Sequence, residues 1–274
     1  MRTIVIQGGT DGMGRALALD YLRRGEQVVI VGRNAEKGQA LLETARETGA
    51  GDRAAFLRAD LSLVAENERI LGEIKDRFPV VDALVLCARH YSSIRRETSE
   101  GFERTFALFY LSRFLLSHGL VGELEKAEHP VIVNVAGPGT PMGRVHWDDF
   151  NLARDYDPLE ALNQGGKTND LLGVSFAERH AAGRIRYVLI NPGSVSTSFS
   201  GDYDPATAAQ IEMMKKFGKP VEQGIVPIAA LVDSPPAESL TAFMEAEPLS
   251  LRHRSFDRDD AARLHAATEK MLAR

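Results

Sequence analysis

The chain of 274 residues is 44% hydrophobic and 26% charged, and it carries a formal net charge of −5. These proportions are ordinary for a soluble globular protein, and the negative balance gives no reason to expect nucleic acid or an anionic membrane as a partner. The single cysteine, Cys87, excludes an internal disulfide and fits a reducing cytosol, so we expect a cytoplasmic protein. Cys87 lies in an apolar run, which favours a buried thiol over a nucleophile.

The apolar pattern predicts neither a leader nor a membrane span. The first predicted strand begins at Thr3, and no signal peptide is recognisable before it. No apolar run approaches the roughly 18 residues that a membrane-spanning helix needs. The seven histidines show no metal-ligand spacing, so no metal site is expected.

Predicted strands and helices alternate along the chain. The strands are short, apolar and rich in β-branched residues, and they are expected at 3–7, 27–31, 54–58, 82–87, 131–135 and 185–190. The helices are expected at 12–24, 36–47, 62–77, 99–118 and 160–181. This alternation implies right-handed crossovers and a parallel sheet covered on both faces. We therefore predict an α/β fold, a Rossmann-type doubly wound sheet flanked by helices, as a single dinucleotide-binding domain over residues 1–274.

Two stretches interrupt this rhythm. Residues 137–158 are polar and aromatic and follow the fifth strand, and residues 198–222 follow the sixth. The carboxyl ends of parallel strands are where ligands bind in open α/β sheets. We therefore predict that residues 198–222 form a loop and helix insertion on the substrate side of the domain.

A glycine-rich turn follows the first strand. Gly8, Gly12 and Gly14 have the spacing G-x-x-x-G-x-G and lead directly into a predicted helix. Glycines at such a turn let the backbone approach a pyrophosphate, and the helix N-terminus attracts its negative charge. The second strand ends at Arg33, where an acidic residue would bind a ribose 2′-hydroxyl. An arginine there can pair with a 2′-phosphate, which favours NADP over NAD.

Five further segments carry a resemblance to a known family. They are 101–107 (GFERTFA), 143–152 (GRVHWDDFNL), 167–169 (KTN), 191–197 (NPGSVST) and 217–224 (FGKPVEQG). Together with the glycine motif, they resemble the short-chain dehydrogenase/reductase family over nearly the whole chain, and most closely its retinol-dehydrogenase-like branch. The resemblance implies NADP binding by Gly8, Thr10, Asp11, Gly12, Met13, Gly14, Arg33, Asp60, Leu61, Ala88, Lys167, Pro192, Gly193, Val195 and Thr197.

The chain departs from the family at three of its four catalytic positions. Phe109 stands where the family has an asparagine, and Ala136 or Gly137 stands where it has a serine. Asn163 replaces the tyrosine of the Y-x-x-x-K element, which leaves Lys167 alone. An asparagine amide donates a hydrogen bond but releases no proton near neutral pH. Losing a positioned general acid typically slows a reaction by about 10²–10⁴-fold, so we expect little activity on ordinary ketones and alcohols.

Other residues must therefore assist any reaction at this site. Lys167 can hold the ribose hydroxyls of a nicotinamide cofactor, and Arg89 replaces a glycine of the family close to the cofactor. We predict Lys167, Asn163 and Arg89 as the catalytic group, with the oxygen of an apolar substrate held by Arg89 and Asn163. The candidate replacements for the missing acid are Arg89, His90, Tyr91, Tyr110, His146 and Tyr156.

Three classes of function remain open on sequence grounds. The favoured one is an NADP(H)-dependent reductase of a carbonyl or enone of a small apolar molecule, since reducing an enone depends less on an oxygen-protonating tyrosine. The second is a non-redox enzyme on the same fold, such as a cyclase, isomerase or dehydratase. The third is a cofactor-binding pseudoenzyme. The fold does not decide among them. A homo-oligomer is compatible with all three.

Overall fold

The computed structural model describes residues 1–273, and its core is an eight-stranded sheet. The strands of this sheet are β1 (Thr3–Gln7), β2 (Gln27–Gly32), β3 (Ala54–Arg58), β4 (Ala83–Leu86), β6 (Val131–Val135), β7 (Arg186–Asn191), β9 (Leu240–Met244) and β10 (Glu247–Pro248). Two short strands, β5 (Tyr91–Ser92) and β8 (Gly201–Asp202), pair in parallel as a separate sheet.

The spatial order of the large sheet is β10-β9-β7-β6-β4-β1-β2-β3. All neighbours are parallel except β9 and β10 at one edge. The chain direction across the sheet reverses between β1 and β4, and this switch point opens a crevice at the carboxyl ends of the strands. The predicted Rossmann-type α/β fold is therefore confirmed.

Helices cover both faces of the sheet. They are α1 (Gly12–Arg23), α2 (Ala35–Glu47), α3 (Val64–Arg77), α4 (Arg104–Phe106), α5 (Ser112–Gly119), α6 (Val121–Leu124), α7 (Pro158–Arg179), α8 (Pro205–Phe217), α9 (Val221–Gly224), α10 (Val226–Asp233) and α11 (Arg258–Leu272). No helix within residues 1–273 has the length and apolar character to cross a membrane.

The strand residues divide into two apolar cores with the period of two that a sheet imposes. Val5 packs with Val29 and other residues on one face, whereas Ile4 and Ile6 pack into the core on the opposite face. Both faces of β1 are buried, which explains why it reads as a continuous apolar run rather than an alternating one.

The helix predicted at 99–118 begins later than expected, at Arg104. Glu103 is its N-cap, and its carboxylate accepts from the backbone N–H groups of Thr105 and Phe106. The helix then widens into a π-helical turn over Ala107–Leu111 before α5. Asn169 donates to the Phe109 carbonyl at 2.7 Å, so a side chain from α7 provides this carbonyl with a partner within the wider turn.

The C-terminal helix α11 begins at Arg258, in an acidic stretch of the sequence. Asp257 is its N-cap and accepts from the backbone N–H of Asp260 at 2.9 Å. The helix packs along α7, and a cluster of three histidines lies where it meets α5 and the end of α7. His118 Nδ1 lies 3.2 Å from His180 Nε2, and the rings of His118 and His265 are 5.0 Å apart edge to face.

These histidines are neutral in the folded protein at neutral pH. Burial, reinforced by His265 and His180, lowers the pKa of His118 to about 3. Burial also lowers the pKa of His180 and His265. The ordinary value for histidine is about 6.5. Because the unfolded chain takes up these protons first, the stability that the neutral cluster contributes is present above pH ~6.5 and is lost as the pH falls.

We predict that His118→Phe reduces the loss of stability on acidification. A phenyl ring fits among Phe114 and Phe176, whose rings already pack against His118, and it takes up no proton. Each histidine with so low a folded pKa costs about 1.4 kcal/mol of unfolding free energy per pH unit below its unfolded value. The measurement is urea unfolding between pH 7.5 and 5, where the variant should show the shallower decline.

His129→Gln is the matched control, because the His129 side chain is 79% exposed and lies outside the cluster. It should follow the unmodified protein at every pH. An equal acid loss in His118→Phe and the unmodified protein would show that the cluster is not the source of the acid sensitivity.

Candidate functional site

A cavity of about 690 Å³ lies at the carboxyl ends of the parallel strands, at the topological switch point. The glycine turn after β1 and Arg33 after β2 form one part of its wall. Residues after β4, β6 and β7 form another, and helix α8 contributes Thr207, Gln210, Ile211 and Met214. The stretch 198–222, expected on the substrate side, therefore contains β8 and α8 and lines this cavity.

The cavity brings together nearly all the residues that the sequence associated with a cofactor. Those lining it are Gly8, Thr10, Asp11, Gly12, Met13, Gly14, Arg33, Asp60, Leu61, Ala88, Pro192, Gly193, Val195 and Thr197. Arg89 and Asn163, two of the three predicted catalytic residues, line it as well. Lys167 does not belong to the lining.

The glycine turn has the close backbone contacts that a phosphate-binding loop requires. Gly8 has a φ of +79° and Gly12 of +49°, a region that favours glycine. A Cβ on Gly14 would lie 2.3 Å from the Gly8 carbonyl oxygen, and one on Gly8 would lie 2.6 Å from the Ala88 nitrogen. Helix α1 starts at Gly12, so its N-terminal N–H groups face the cavity.

A buried amide chain fixes the position of this turn relative to the neighbouring strand end. Gln7 accepts from the Ala88 backbone N–H at 3.1 Å and donates to Ser112 Oγ at 2.8 Å. Ser112 donates in turn to Asn67 at 2.7 Å, and Asn67 donates to the Leu61 carbonyl at 2.9 Å. Every side-chain polar group of Gln7, Ser112 and Asn67 has a partner. This hydrogen-bond network therefore rigidifies the cavity wall.

Asp11 joins the glycine turn to helix α2 and to the stretch after β7. Its carboxylate pairs with Lys37, accepts from Ser198 Oγ at 2.9 Å and caps α1 through the Gly12 N–H at 2.8 Å. Burial opposes ionisation of Asp11, but the hydrogen bonds from Lys37 and Ser198 outweigh it and lower the pKa. The carboxylate therefore stays charged and holds the edge of the cavity near Arg33.

A buried arginine lies beneath the cavity floor. Arg113 is 0% exposed, and its guanidinium donates to the Asn134 side chain, to the Val135 carbonyl at 2.9 Å and to the Ala88 carbonyl at 3.0 Å. Its Cζ also lies 4.5 Å from the Phe109 ring centroid. Burial lowers the pKa of Arg113 to about 10, so it remains a cation at neutral pH. No carboxylate among residues 1–273 forms an ion pair with it.

Arg89 adds a second cation at the same place. It is exposed to solvent at the cavity, and its Cζ lies 5.9 Å from the Phe109 ring centroid. Surrounding protein lowers the pKa of Arg89, and the nearby phenols of Tyr203 and Tyr91 act in the opposite direction. An arginine stays protonated under these conditions. Arg89 and Arg113 thus form a positive region at the carboxyl ends of β4 and β6, where an anionic oxygen would be stabilised.

The Lys167 side chain points to the C-terminal segment instead of lining the cavity. Its side chain is 8% exposed, and Nζ donates to the backbone carbonyls of Arg254 and Ser255 at 2.9 and 3.1 Å. The short helical turn at Arg254–Phe256 lies against α7 and draws the ammonium away from the cavity. Lys167 therefore links the C-terminal segment to α7, and the cofactor and catalytic roles expected for it stay predictions.

A buried carboxyl group lies on the same side of α7 as Lys167. Asp170, one helical turn after Lys167, accepts from the Gly139 N–H at 2.9 Å through Oδ2, while Oδ1 has no partner among the residues described. Burial raises the pKa of Asp170 to about 8, against the opposing effects of that hydrogen bond and of Lys167. Lys167 and Asp170 thus make no direct ion pair, although they lie on the same side of α7.

The candidate proton donors fall into two groups, three that line the cavity and three that do not. Arg89, His90 and Tyr91 line the cavity, as expected from their place after β4. Three others have structural partners outside it: Tyr110 hydrogen-bonds Thr268 in the core, His146 lies 3.1 Å from Glu160, and Tyr156 donates to the Ser92 carbonyl at 3.1 Å. Cys87 is half-buried, packs against one of the apolar cores and also lines the cavity. Burial raises its thiol pKa to about 12, so it stays protonated.

Sequence reasoning singled out the stretches 137–158 and 198–222 but did not name several individual residues that line the cavity. Thr140, Leu159, Tyr203 and Met214 all line the cavity. The helical period of α7 could have placed Leu159 beside Asn163, because the two positions are four residues apart. Tyr203 lies beside the two-residue strand β8. No local sequence pattern predicts that β8 pairs with β5. Within residues 1–273, no three His, Cys, Asp or Glu residues are grouped as metal ligands.

Comparison with known proteins agrees with this geometry. A family model described as short chain dehydrogenase matches residues 2–150. A Streptomyces sp. (strain C5) protein named for daunorubicin C-13 ketoreduction is 30% identical over 198 residues, covering 72% of this chain and 67% of that protein. Retinol dehydrogenase 14 of Mus musculus is 26% identical over 207 residues, covering 72% of this chain and 62% of the relative.

Solved structures share the fold. A short chain dehydrogenase from Shigella flexneri 2a strain 301, solved with NADP, superposes with a TM-score of 0.68 at 21% identity, covering 89% of this chain and 96% of that one. The family match, the sequence relatives and the position of the glycine turn at the switch point all lead to one assignment. The chain belongs to the short-chain dehydrogenase/reductase family, in its retinol-dehydrogenase-like branch.

Proposed function

We propose that the protein is an NADP(H)-dependent oxidoreductase that acts on a carbonyl or enone of a small apolar molecule. The observation that carries the proposal is one continuous cavity, which joins the glycine turn and Arg33 to the cationic region at Arg89. A dinucleotide needs a phosphate cradle and a place for its reacting ring, and this cavity offers both in the order that the fold dictates.

The residues present fit NADP at the adenosine end. The glycine turn allows close approach of a pyrophosphate, and Arg33 is an exposed cation where β2 ends. The two residues after β2 are arginine and asparagine, so no acidic residue stands at the strand end to bind a ribose 2′-hydroxyl. When bound, reduced cofactor would supply a hydride. Pro192, Gly193, Val195 and Thr197 line the cavity where they would hold the nicotinamide amide.

The substrate end supports charge stabilisation rather than proton transfer from residue 163. Arg89 would hold the substrate oxygen, and the Asn163 amide would donate a hydrogen bond to it. The hydride would reach the carbonyl carbon or the β-carbon of an enone, and a proton from solvent would complete the reduction. Arg113 beneath the floor adds to the positive potential without touching the substrate.

The remaining lining is suited to an apolar substrate. Leu108, Leu159, Leu162, Phe199, Ile211 and Met214 surround the space beyond Arg89. Pockets of this kind bind small molecules through apolar area and use a few polar groups to orient them. We therefore assign the substrate class as an apolar small molecule with one anionic or enolizable oxygen.

A second candidate is a cofactor-binding protein without hydride chemistry. The position of Lys167 favours it, because the ammonium is held by the C-terminal carbonyls instead of the cavity. With Phe109 and Asn163, no conventional catalytic residue of the family then faces the reacting position. The two candidates share cofactor binding and differ only in turnover.

We predict that NADPH binds more tightly than NADH and that Arg33→Ala removes the difference. A charge-assisted contact to the 2′-phosphate should make NADPH binding about 10–100-fold tighter than NADH binding. Calorimetry with both nucleotides measures it. Arg46→Ala is the matched control, because Arg46 lies at the end of α2 and pairs with Glu43. Equal affinity for the two nucleotides in the unmodified protein would overturn the cofactor assignment.

We also predict NADPH oxidation with apolar enones and very slow turnover of simple ketones. Arg89→Ala should lower kcat/KM about 10²-fold, the usual effect of removing one oxyanion-stabilising donor. Asn163→Tyr should create no ordinary ketoreductase, because Phe109 and the missing serine remain. The assay is cofactor absorbance with a panel of enones and ketones, with Arg46→Ala again as control. NADPH binding without oxidation by any enone would favour the second candidate.

A further inference from the structure

His90 lies between the adenosine end of the cavity and the strand that borders the substrate end. It is 7% exposed and follows β4 by four residues, on the segment that leads into β5. Its Nδ1 lies 3.5 Å from Arg33 Nη2, and its Nε2 lies 3.5 Å from Asp202 Oδ2. Asp202 also lies 3.5 Å from Arg104 Nη1 at the start of α4.

The partners of His90 determine its tautomer. A guanidinium only donates hydrogen bonds and a carboxylate only accepts them, so Nδ1 must accept from Arg33 while Nε2–H donates to Asp202. Only the neutral ring satisfies both contacts. Burial, followed by the charge of Arg33, lowers the pKa of His90 against the opposite effects of Asp202 and Asp60. The ring is therefore neutral near pH 7.

Backbone pairing holds Asp202 in place. Strands β5 and β8 pair in register at Ser92 and Asp202, and the Ser93 N–H donates to the Asp202 carbonyl at 2.9 Å. The backbone that carries one partner of His90 is therefore fixed by strand pairing, although the Asp202 side chain is 44% exposed. The other partner, Arg33, is exposed and lies in no such pairing. The Arg33 side chain would otherwise sample many rotamers, because arginine loses much conformational entropy when it is fixed.

We propose that His90 is a specificity-determining positioning residue, which holds Arg33 in place to receive the 2′-phosphate of the cofactor. This inference rests on the proposed NADP(H) binding. One N–H of the guanidinium contacts His90, and its other donors remain for the phosphate oxygens. Preorganisation of this kind raises affinity by removing part of the ordering cost at binding. His90 itself need not touch the cofactor.

The test measures the ratio of NADPH to NADH affinity by calorimetry for His90→Ala and His90→Asn. His90→Ala should weaken NADPH binding about threefold to tenfold, the effect of one net hydrogen bond, and leave NADH binding unchanged. His90→Asn should restore much of the ratio, because its amide oxygen can accept from Arg33. In Arg33→Ala, adding His90→Ala should cause no further loss, since the two residues act as a unit.

His129→Ala is the control, because that exposed histidine lies outside the cavity. Thermal unfolding of each variant checks that the fold is retained. A loss of stability with an unchanged NADPH to NADH ratio would show a packing role for His90 and overturn the inference, while the Arg33 effect would leave the cofactor proposal intact. Absence of NADPH preference in the unmodified protein would overturn both.

Discussion

The cavity depends on a cation buried without a counter-ion. Moving a guanidinium out of water is costly unless its N–H groups find acceptors. Nη1 and Nη2 of Arg113 find them at the carboxyl ends of β4 and β6, whereas its Nε–H has no partner among the residues described. Its bonds to the Ala88 and Val135 carbonyls join two strands that flank the crevice. The Phe109 ring lies against the same guanidinium at 4.5 Å, an arrangement that favours a cation. The floor of the site is therefore both rigid and positively charged.

This arrangement includes Phe109, which the resemblance places at a catalytic position of the family. Phe109 lies in a π-helical turn, and its backbone carbonyl accepts a hydrogen bond from Asn169. The Asn169 side chain also accepts from Asn134 at 2.9 Å. Asn134 in turn is a partner of Arg113. A polar network inside the protein thus lies next to the position where the family has a polar catalytic asparagine. Lys167 likewise bonds within the protein, to the carbonyls of Arg254 and Ser255.

Local pattern predicted the architecture well and the site in part. The strands at 3–7, 54–58 and 131–135 were predicted with their observed bounds, because parallel strands buried on both faces read as short apolar runs. The glycine turn was predicted because its backbone geometry restricts the residue type. Arg89 and Asn163 were placed through the order of strand ends and the spacing of the Y-x-x-x-K element, and both line the cavity.

Contacts between distant segments were not predictable in this way. Lys167 and Arg254 are 87 positions apart, and no spacing within α7 reveals that a C-terminal turn covers its lysine. Strands β5 and β8 have two residues each, and each is a strand only because it pairs with the other. The role of Arg113 was missed for a related reason, since a charged residue within an apolar helix face shows no partner until the strand ends are assembled.

A crystal structure with NADP bound tests the central claim most directly, because it shows which side chains surround the two ends of the cofactor. The account predicts the 2′-phosphate at Arg33, the nicotinamide beside Arg89 and Asn163, and Lys167 still hydrogen-bonded to the carbonyls of residues 254 and 255. Lys167 released from those carbonyls and bound to the nicotinamide ribose, with Arg33 remote from the phosphate, would contradict it.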